Sequence, residues 1–92
     1  MGGGMVKYTN KRAAPSNQNA LGVLKKHAVI VAGHQTSVTL ENIFWQSLQT
    51  IARFEGKSLN KLVTEIDRNR VGGLSSAIRV FVLLHFKDLA AS

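Results

Sequence analysis

The sequence contains no cysteine, and this absence removes two of the devices that stabilise very small proteins. A chain without thiols forms neither disulfides nor cysteine-ligated zinc sites. Its 92 residues have room for one domain, whose hydrophobic core is marginal when it stands alone. Self-association is the remaining common device, so the composition favours an oligomer.

Long apolar stretches are absent too. No segment approaches the roughly 20 apolar residues of a membrane span. The first residues, MGGGM, also lack the apolar centre of a secretory signal. We therefore expect a cytoplasmic protein that does not associate with membranes.

Acidic residues are few and unevenly distributed. The chain has 12 Lys and Arg against five Asp and Glu, which gives a formal net charge of +7. Before residue 34 there is no acidic residue, and the basic ones are Lys7, Lys11, Arg12, Lys25 and Lys26. A segment of one sign suits a polyanion such as nucleic acid, because neutralised phosphates release counterions. The alternative is a basic segment that only maintains solubility.

A flexible basic arm is expected over residues 1–27, and a folded domain over 28–92. The arm is rich in Gly, Asn, Ser and Gln, and it buries too little apolar surface to offset the entropy of ordering. Within the domain, residues 35–40 alternate between two kinds of side chain. The polar positions are Gln35, Ser37 and Thr39, and the β-branched or apolar positions are Thr36, Val38 and Leu40. This period of two predicts a half-buried strand with a polar outer face.

Three segments after the strand have the composition of helices, which predicts a mainly α fold. Two of them carry an apolar stripe at helical spacing. The stripes consist of Phe44, Leu48, Ile51 and Ala52, and of Leu59, Leu62, Val63 and Ile66. Gly56 is the expected left-handed end of the first helix, and Ser58 the expected N-cap of the second. The third helix, from about residue 77 to 89 with Ser75 or Ser76 as its cap, is apolar nearly all round, which predicts burial against more than one neighbour.

The predicted strand needs a partner, since a lone strand leaves its backbone donors and acceptors unpaired. Either residues 29–31 fold back on it as a hairpin, or it pairs with its own copy across a two-fold axis. We favour pairing between copies, because Ala32-Gly33-His34-Gln35 lacks the Asn-Gly or Asp-Gly signal of tight turns. The apolar third helix also needs a second chain to cover it, so we predict a homodimer.

Four sequence segments carry a resemblance to a known family. They are GHQTSVTLE at residues 33–41, FW at 44–45, EID at 65–67 and LSSAIR at 74–79. Together they resemble the ribbon-helix-helix family of bacteria and their viruses, in a form with an added C-terminal helix. The resemblance implies an intertwined homodimer whose two strands form an intermolecular antiparallel β-ribbon. Such a ribbon enters the major groove of double-stranded DNA.

The resemblance also implies which residues contact bases. The family's base-reading positions are alternate, outward residues of the strand, and they match Gln35, Ser37 and Thr39. Gln can form a bidentate pair with the N6 and N7 edge of adenine, whereas Ser and Thr hydroxyls are permissive. No cationic residue occurs at these positions, which disfavours strong readout of guanine. The alternative is that these side chains are simply the polar face of a solvated ribbon.

A phosphate contact is implied at the start of helix two. There Lys57, Ser58 and Asn60 combine a cation, polar side chains and free backbone N–H groups. An ordinary helix cap is the commoner reason for a Ser at this position, and both roles can hold together. We expect Lys25 and Lys26, at the end of the arm, to contact phosphates as well.

The function predicted from these features is that of a sequence-preferring DNA-binding dimer, a transcriptional repressor or an autoregulator that uses no cofactor. The alternative is a protein-interaction module, such as an antitoxin that binds a toxin partner. A metal site is not expected, because His27, His34 and His85 have no second ligand at metal spacing. An enzyme is not expected either, because no paired base, nucleophile or cofactor loop occurs.

Overall fold

The computed structural model describes residues 20–92. Two strands are followed by three helices in chain order. The elements are β1 (Leu24–Val31), β2 (His34–Glu41), α1 (Asn42–Phe54), α2 (Leu59–Arg68) and α3 (Leu74–Ala91). The mainly α fold with an added C-terminal helix is confirmed. Most of the predicted arm, residues 1–19, lies outside the described part of the chain.

The two strands pair with each other as an antiparallel hairpin. Leu24 lies opposite Glu41 and Val31 lies opposite His34, which leaves a loop of two residues between the strands. Disfavouring the hairpin was therefore wrong, whereas pairing of the predicted strand with its own copy stays a prediction. The chain itself supplies a neighbouring strand on one side of β2.

Both loop residues have positive φ angles, 50° at Ala32 and 83° at Gly33. Positive φ at both positions is the signature of a type I′ turn, whose twist matches that of the flanking strands. Gly33 adopts this conformation freely, whereas an L-residue such as Ala32 pays about 1–2 kcal/mol in the left-handed region. The turn was not predicted because Ala stands where Asn or Asp is the usual signal.

β1 also begins before the boundary predicted between the arm and the folded domain. Leu24 to His27 are strand residues, and their partners are residues 38–41 of β2. The folded domain therefore starts earlier than residue 28. Lys25 and Lys26 belong to the hairpin and not to an arm, and this gives their side chains defined directions.

The inner face of the hairpin packs on the helices and forms the core with them. Val29, Val31, Val38 and Leu40 are buried on this face. The helical side of the core consists largely of the two predicted stripes, to which α3 adds two residues. The buried helical residues are Leu48, Ile51, Ala52, Leu62, Val63, Ile66, Ile78 and Val82. The first residue of each predicted stripe, Phe44 or Leu59, is only partly buried against the core.

The predicted C-terminal end of α1 and the predicted N-terminal end of α2 are confirmed. Gly56 has a φ of 69°, and the next N–H, that of Lys57, donates to Ala52 O at 2.9 Å. This is the pattern of a left-handed helix end. Ser58 Oγ accepts a hydrogen bond from Lys61 N–H at 3.1 Å, so Ser58 is the N-cap of α2.

α3 begins earlier than predicted, at Leu74, with Gly73 in the N-cap position. The expectation that Ser75 or Ser76 caps this helix was wrong. Ser75 lies in the first turn, and its Oγ accepts a hydrogen bond from Thr39 N–H of β2 at 3.2 Å. One turn further on, Arg79 Nε donates to Glu41 Oε1 at 2.8 Å. These two contacts attach the beginning of α3 to the end of β2.

Most of the apolar surface of α3 is not covered by its own chain. Ile78 and Val82 are its buried residues, whereas Val80, Leu83 and Leu84 are more than half exposed. The predicted burial of this helix on several sides therefore requires a second chain and stays a prediction. Among residues 20–92, none of the helices combines the length and the apolar character needed to cross a bilayer.

Candidate nucleic-acid interface

The face of the hairpin that points away from the core is exposed and mostly polar. Directly opposite residues of an antiparallel pair project from the same face. Three cross-strand pairs form the centre of this surface: Lys26 with Thr39, Ala28 with Ser37, and Ile30 with Gln35. We call these six residues the outer face, and all of them are exposed. The three predicted base-contacting residues therefore lie together on one strand of it.

The backbone of β2 is open along the edge that faces away from β1. Hydrogen-bonded pairs alternate along an antiparallel ladder, beginning at Val31 and His34 beside the loop. Gln35, Ser37 and Thr39 belong to the non-hydrogen-bonded pairs of this ladder, so their N–H and C=O groups point away from β1. Thr39 N–H is bonded to Ser75 Oγ, which agrees with this direction. Beyond this edge lies no further strand of the described residues.

The opposite edge of the hairpin is covered by α2. Ile30 N–H donates to Asn60 Oδ1 at 3.0 Å, and Ala32 N–H donates to Thr64 Oγ1 at 3.2 Å. Asn60 and Thr64 are four residues apart on the helix and thus one turn apart on the same side. Helix α2 therefore satisfies two backbone N–H groups at the edge of β1 near the loop, while the edge of β2 stays accessible at Gln35 and Ser37.

The predicted phosphate contacts at the start of α2 lie near one another, but their side chains are already engaged. Lys57 Nζ is 2.6 Å from Glu65 Oε1 and 3.3 Å from Glu55 Oε1. The hydrogen bonds to Glu65 and then to Glu55 raise the pKa of Lys57 above its usual value. The hydrogen bond from Lys57 in turn lowers the pKa of Glu65. Ser58 caps the helix and Asn60 bonds to β1, so the structure gives all three side chains roles within the fold.

The two lysines predicted to contact phosphates are separated by the register of β1. Lys26 lies on the outer face, opposite Thr39. Lys25 lies on the other side of the sheet, opposite Leu40, whose side chain is completely buried. Both lysines are exposed, and Lys25 lies near the end of the sheet that is farthest from the loop. Two adjacent residues of equal charge therefore face opposite directions.

An aromatic stack that was not predicted from the sequence joins β1 to α1. The rings of His27 and Trp45 are parallel within 6°, with centroids 3.9 Å apart. His27 Nε2 is buried and has no hydrogen-bond partner among the described residues. Burial, and secondarily the charge of Lys25, lower the pKa of His27. No group of three potential metal ligands occurs within residues 20–92.

A groove of about 560 Å³ runs between α2 and α3, on a different part of the molecule. Leu62 and Ile66 of α2 and Val80, Phe81 and Leu84 of α3 are among the side chains that line it. Charged residues, including Glu65 and Arg70, also border it. The sequence predicted apolar surface on α3 but not that this surface borders a groove.

The comparisons with known proteins agree with this architecture. A family model described as "Ribbon-helix-helix domain" matches residues 24–86, a span that includes both strands, α1, α2 and most of α3. No curated protein matches the chain. No solved structure matches it either.

Proposed function

This chain belongs to the ribbon-helix-helix family, a DNA-binding and regulatory family whose members form dimers, and on that premise we propose that it binds double-stranded DNA as a homodimer. Its role in this proposal is that of a transcriptional repressor or an autoregulator, acting on the chromosome in the cytoplasm of a bacterial cell. It carries out no catalysis and uses no cofactor.

The observation that carries the proposal is the position of the polar residues of β2 next to its open edge. Gln35, Ser37 and Thr39 project from the outer face, and their backbone groups point towards the same edge. If β2 of a second copy pairs there across a two-fold axis, the two strands form an antiparallel ribbon with six such side chains on one surface. The major groove admits a two-stranded ribbon of this kind.

The chemistry of these side chains favours contacts with A·T pairs. The amide of Gln35 matches the donor and acceptor at N6 and N7 of adenine, and the methyl group of Thr39 can contact the thymine methyl. The hydroxyl of Ser37 can serve as donor or acceptor and discriminates less. We therefore propose Gln35 as the main base-reading residue of each protomer.

The exposed apolar residues of α3 support a dimer. Val80, Leu83 and Leu84 are each more than half exposed in the single chain, and Phe54 at the end of α1 is 75% exposed. Contiguous apolar surface of this kind commonly marks a protein interface. We propose that the second copy covers part of it while the two β2 strands pair.

Phosphate contacts belong to the same proposal. Ser58 and Asn60 place the positive end of α2 at a phosphate through backbone N–H groups, since their side chains are engaged elsewhere. The N–H of Lys57 donates to Ala52 O, so Lys57 contributes through the charge of its side chain. Lys26 adds positive charge on the outer face of the hairpin, whereas Lys25 lies on the other side of the sheet and is not part of the proposed contact. Because Lys57 shares its charge with two carboxylates, we expect it to contribute less than a free lysine to the salt dependence of binding.

The test combines sedimentation with DNA-binding titrations. At micromolar concentration we expect a dimer. For each tenfold increase in salt, the affinity for random duplex DNA should fall by about 0.9 logarithmic units per neutralised phosphate. Duplexes selected from a random pool should bind more tightly than random DNA. A folded monomer, or DNA binding that is insensitive to salt, would contradict the proposal.

The groove between α2 and α3 favours a second candidate function, the binding of a protein partner such as a toxin. Its apolar walls suit the apolar face of a helix. The variant Leu84→Asp separates the possibilities. If it abolishes partner binding and leaves the dimer and its DNA affinity intact, the groove is a partner site; if it dissociates the dimer, the groove belongs to the dimer interface.

A further inference from the structure

The hairpin gives the outer face a second strand, which a lone ribbon strand would lack. Lys26, Ala28 and Ile30 of β1 project on the same side as the three proposed base-contacting residues of β2. Ile30 is 48% exposed even though it is a large apolar residue, and it lies next to last in β1, beside the loop. These three residues of β1 thus form part of any surface that approaches DNA through β2.

The width of the sheet determines where β1 lies when β2 enters the groove. Pairing of two hairpins through their β2 edges gives the strand order β1, β2, β2 of the second copy and β1 of the second copy. Neighbouring strands are about 4.8 Å apart, so the two β1 strands are separated by about 14 Å. The major groove is about 12 Å wide. The inner pair fits within the groove, but the outer pair stands over its two walls.

We propose that β1 contacts the sugar–phosphate walls of the major groove, with Lys26 paired to a phosphate and Ala28 at the closest approach of the sheet to the backbone. This inference rests on the proposed function, since it requires two copies paired through β2. It assigns separate tasks to the two strands of each hairpin. β2 reads bases, and β1 fixes the height and orientation of the sheet on the duplex.

The side chains at the centre of the outer face agree with this assignment. Ala28 and Ser37 are both small and lie directly opposite each other. The larger residues Lys26 and Ile30 stand on either side of Ala28 along β1. Because the side chains at the centre are small and those on either side are larger, the sheet can approach a phosphate backbone closely at Ala28. Ile30 can then lie against a deoxyribose, whose carbon atoms offer an apolar surface.

The first test compares two lysines of equal charge. Lys26→Ala should reduce the magnitude of the salt slope by about 0.9 per protomer, or about 1.8 per dimer, on random and on preferred DNA alike. When the salt is raised from about 50 to 200 mM, the unmodified protein should therefore lose about twelvefold more affinity than the variant. Lys25→Ala, on the opposite side of the same strand, should leave the slope nearly unchanged. Equal effects of the two variants would overturn the assignment.

The second test adds charge at Ala28, whose exposed side chain is not part of the core. Ala28→Lys should increase the magnitude of the salt slope by up to about 1.8 per dimer. Ala28→Glu should weaken binding to all sequences, because it places a carboxylate against phosphates. Circular dichroism melts confirm that both variants are folded. If both folded variants bind with the slope and affinity of the unmodified protein, β1 does not contact the walls.

The outcomes distinguish failure of this inference from failure of the proposed function. If the unmodified protein is a monomer or does not bind DNA in a salt-dependent manner, the proposed function is wrong, and this inference falls with it. If the unmodified protein binds and Gln35→Ala relaxes its sequence preference, but the variants at Lys26 and Ala28 behave like the unmodified protein, then only the role of β1 is wrong.

Discussion

The turn of the hairpin offers a direct test of the fold through the substitution Ala32→Asn. Ala32 has a φ of 50°, in a region that is unfavourable by about 1–2 kcal/mol for an L-residue whose side chain makes no local hydrogen bond. Asn tolerates this region better, and Asn-Gly is a favoured pair in type I′ turns. Ala32 N–H donates to Thr64 Oγ1, so the backbone is held in place by α2 in both variants. We expect the substitution to stabilise the protein by about 0.5–1 kcal/mol, part of the full cost of the left-handed conformation.

The effect is measured by thermal or urea unfolding at one fixed protein concentration, because the stability of a dimer depends on concentration. A gain of about 1 kcal/mol raises the Tm of a domain of this size by about 4–8 °C. Ala28→Asn is the matched control: the same substitution at an exposed, extended position of β1 should not stabilise the protein. If Ala32→Asn gives no increase, or Ala28→Asn gives an equal one, the turn is not left-handed and the hairpin reasoning is wrong.

Three further predictions follow from individual residues. Gln35→Ala should cost roughly 1–3 kcal/mol of binding free energy at a preferred site and little on random DNA, because it removes a bidentate base contact. The control is Gln46→Ala, at an exposed position of α1, and fluorescence anisotropy measures the DNA affinity of both variants. Ser58→Ala should destabilise the fold by about 1 kcal/mol in urea unfolding, since Ser58 Oγ accepts Lys61 N–H; an unchanged midpoint would contradict the cap. The lowered pKa of His27 means that the unfolded chain binds a proton more readily, so the corresponding stability is full above about pH 6.5 and declines as the pH falls towards the folded-state pKa. Tm values measured between pH 5 and 7.5, flattened by His27→Phe, check this last prediction.

Periodicity was sufficient to predict the parts of the fold that depend on local sequence. The alternation at residues 35–40 identified a strand, because one face of it is buried and the other is not. The stripes of α1 and α2 identified helices for the same reason, and Gly56 and Ser58 identified their ends. Each of these signals lies within a few residues of the feature that it predicts.

The features that sequence analysis missed depend on contacts between distant segments. The hairpin was the less favoured alternative because Ala32-Gly33-His34-Gln35 lacks the usual turn signal, yet Thr64, 32 positions away, accepts the N–H of Ala32. Ser75 was expected to cap α3, but its hydroxyl is used by Thr39 of β2. Lys25 and Lys26 could not be assigned to faces without the register of β1. In each case the deciding partner comes from another element of the fold.

The two edges of the hairpin differ, and this difference determines which strand can meet a second copy. An uncovered strand edge pairs readily with another chain, and covering it prevents such pairing. Asn60 and Thr64 cover β1 at Ile30 and Ala32, whereas Gln35 and Ser37 of β2 face open space among the described residues. Pairing through β1 would put its lysine and its apolar residues at the centre of the sheet and move the polar triplet to the walls. By closing one edge, α2 therefore favours the arrangement in which β2 lies at the two-fold axis. Asn60 then acts twice, its side chain covering β1 and its backbone N–H remaining available for the proposed phosphate contact.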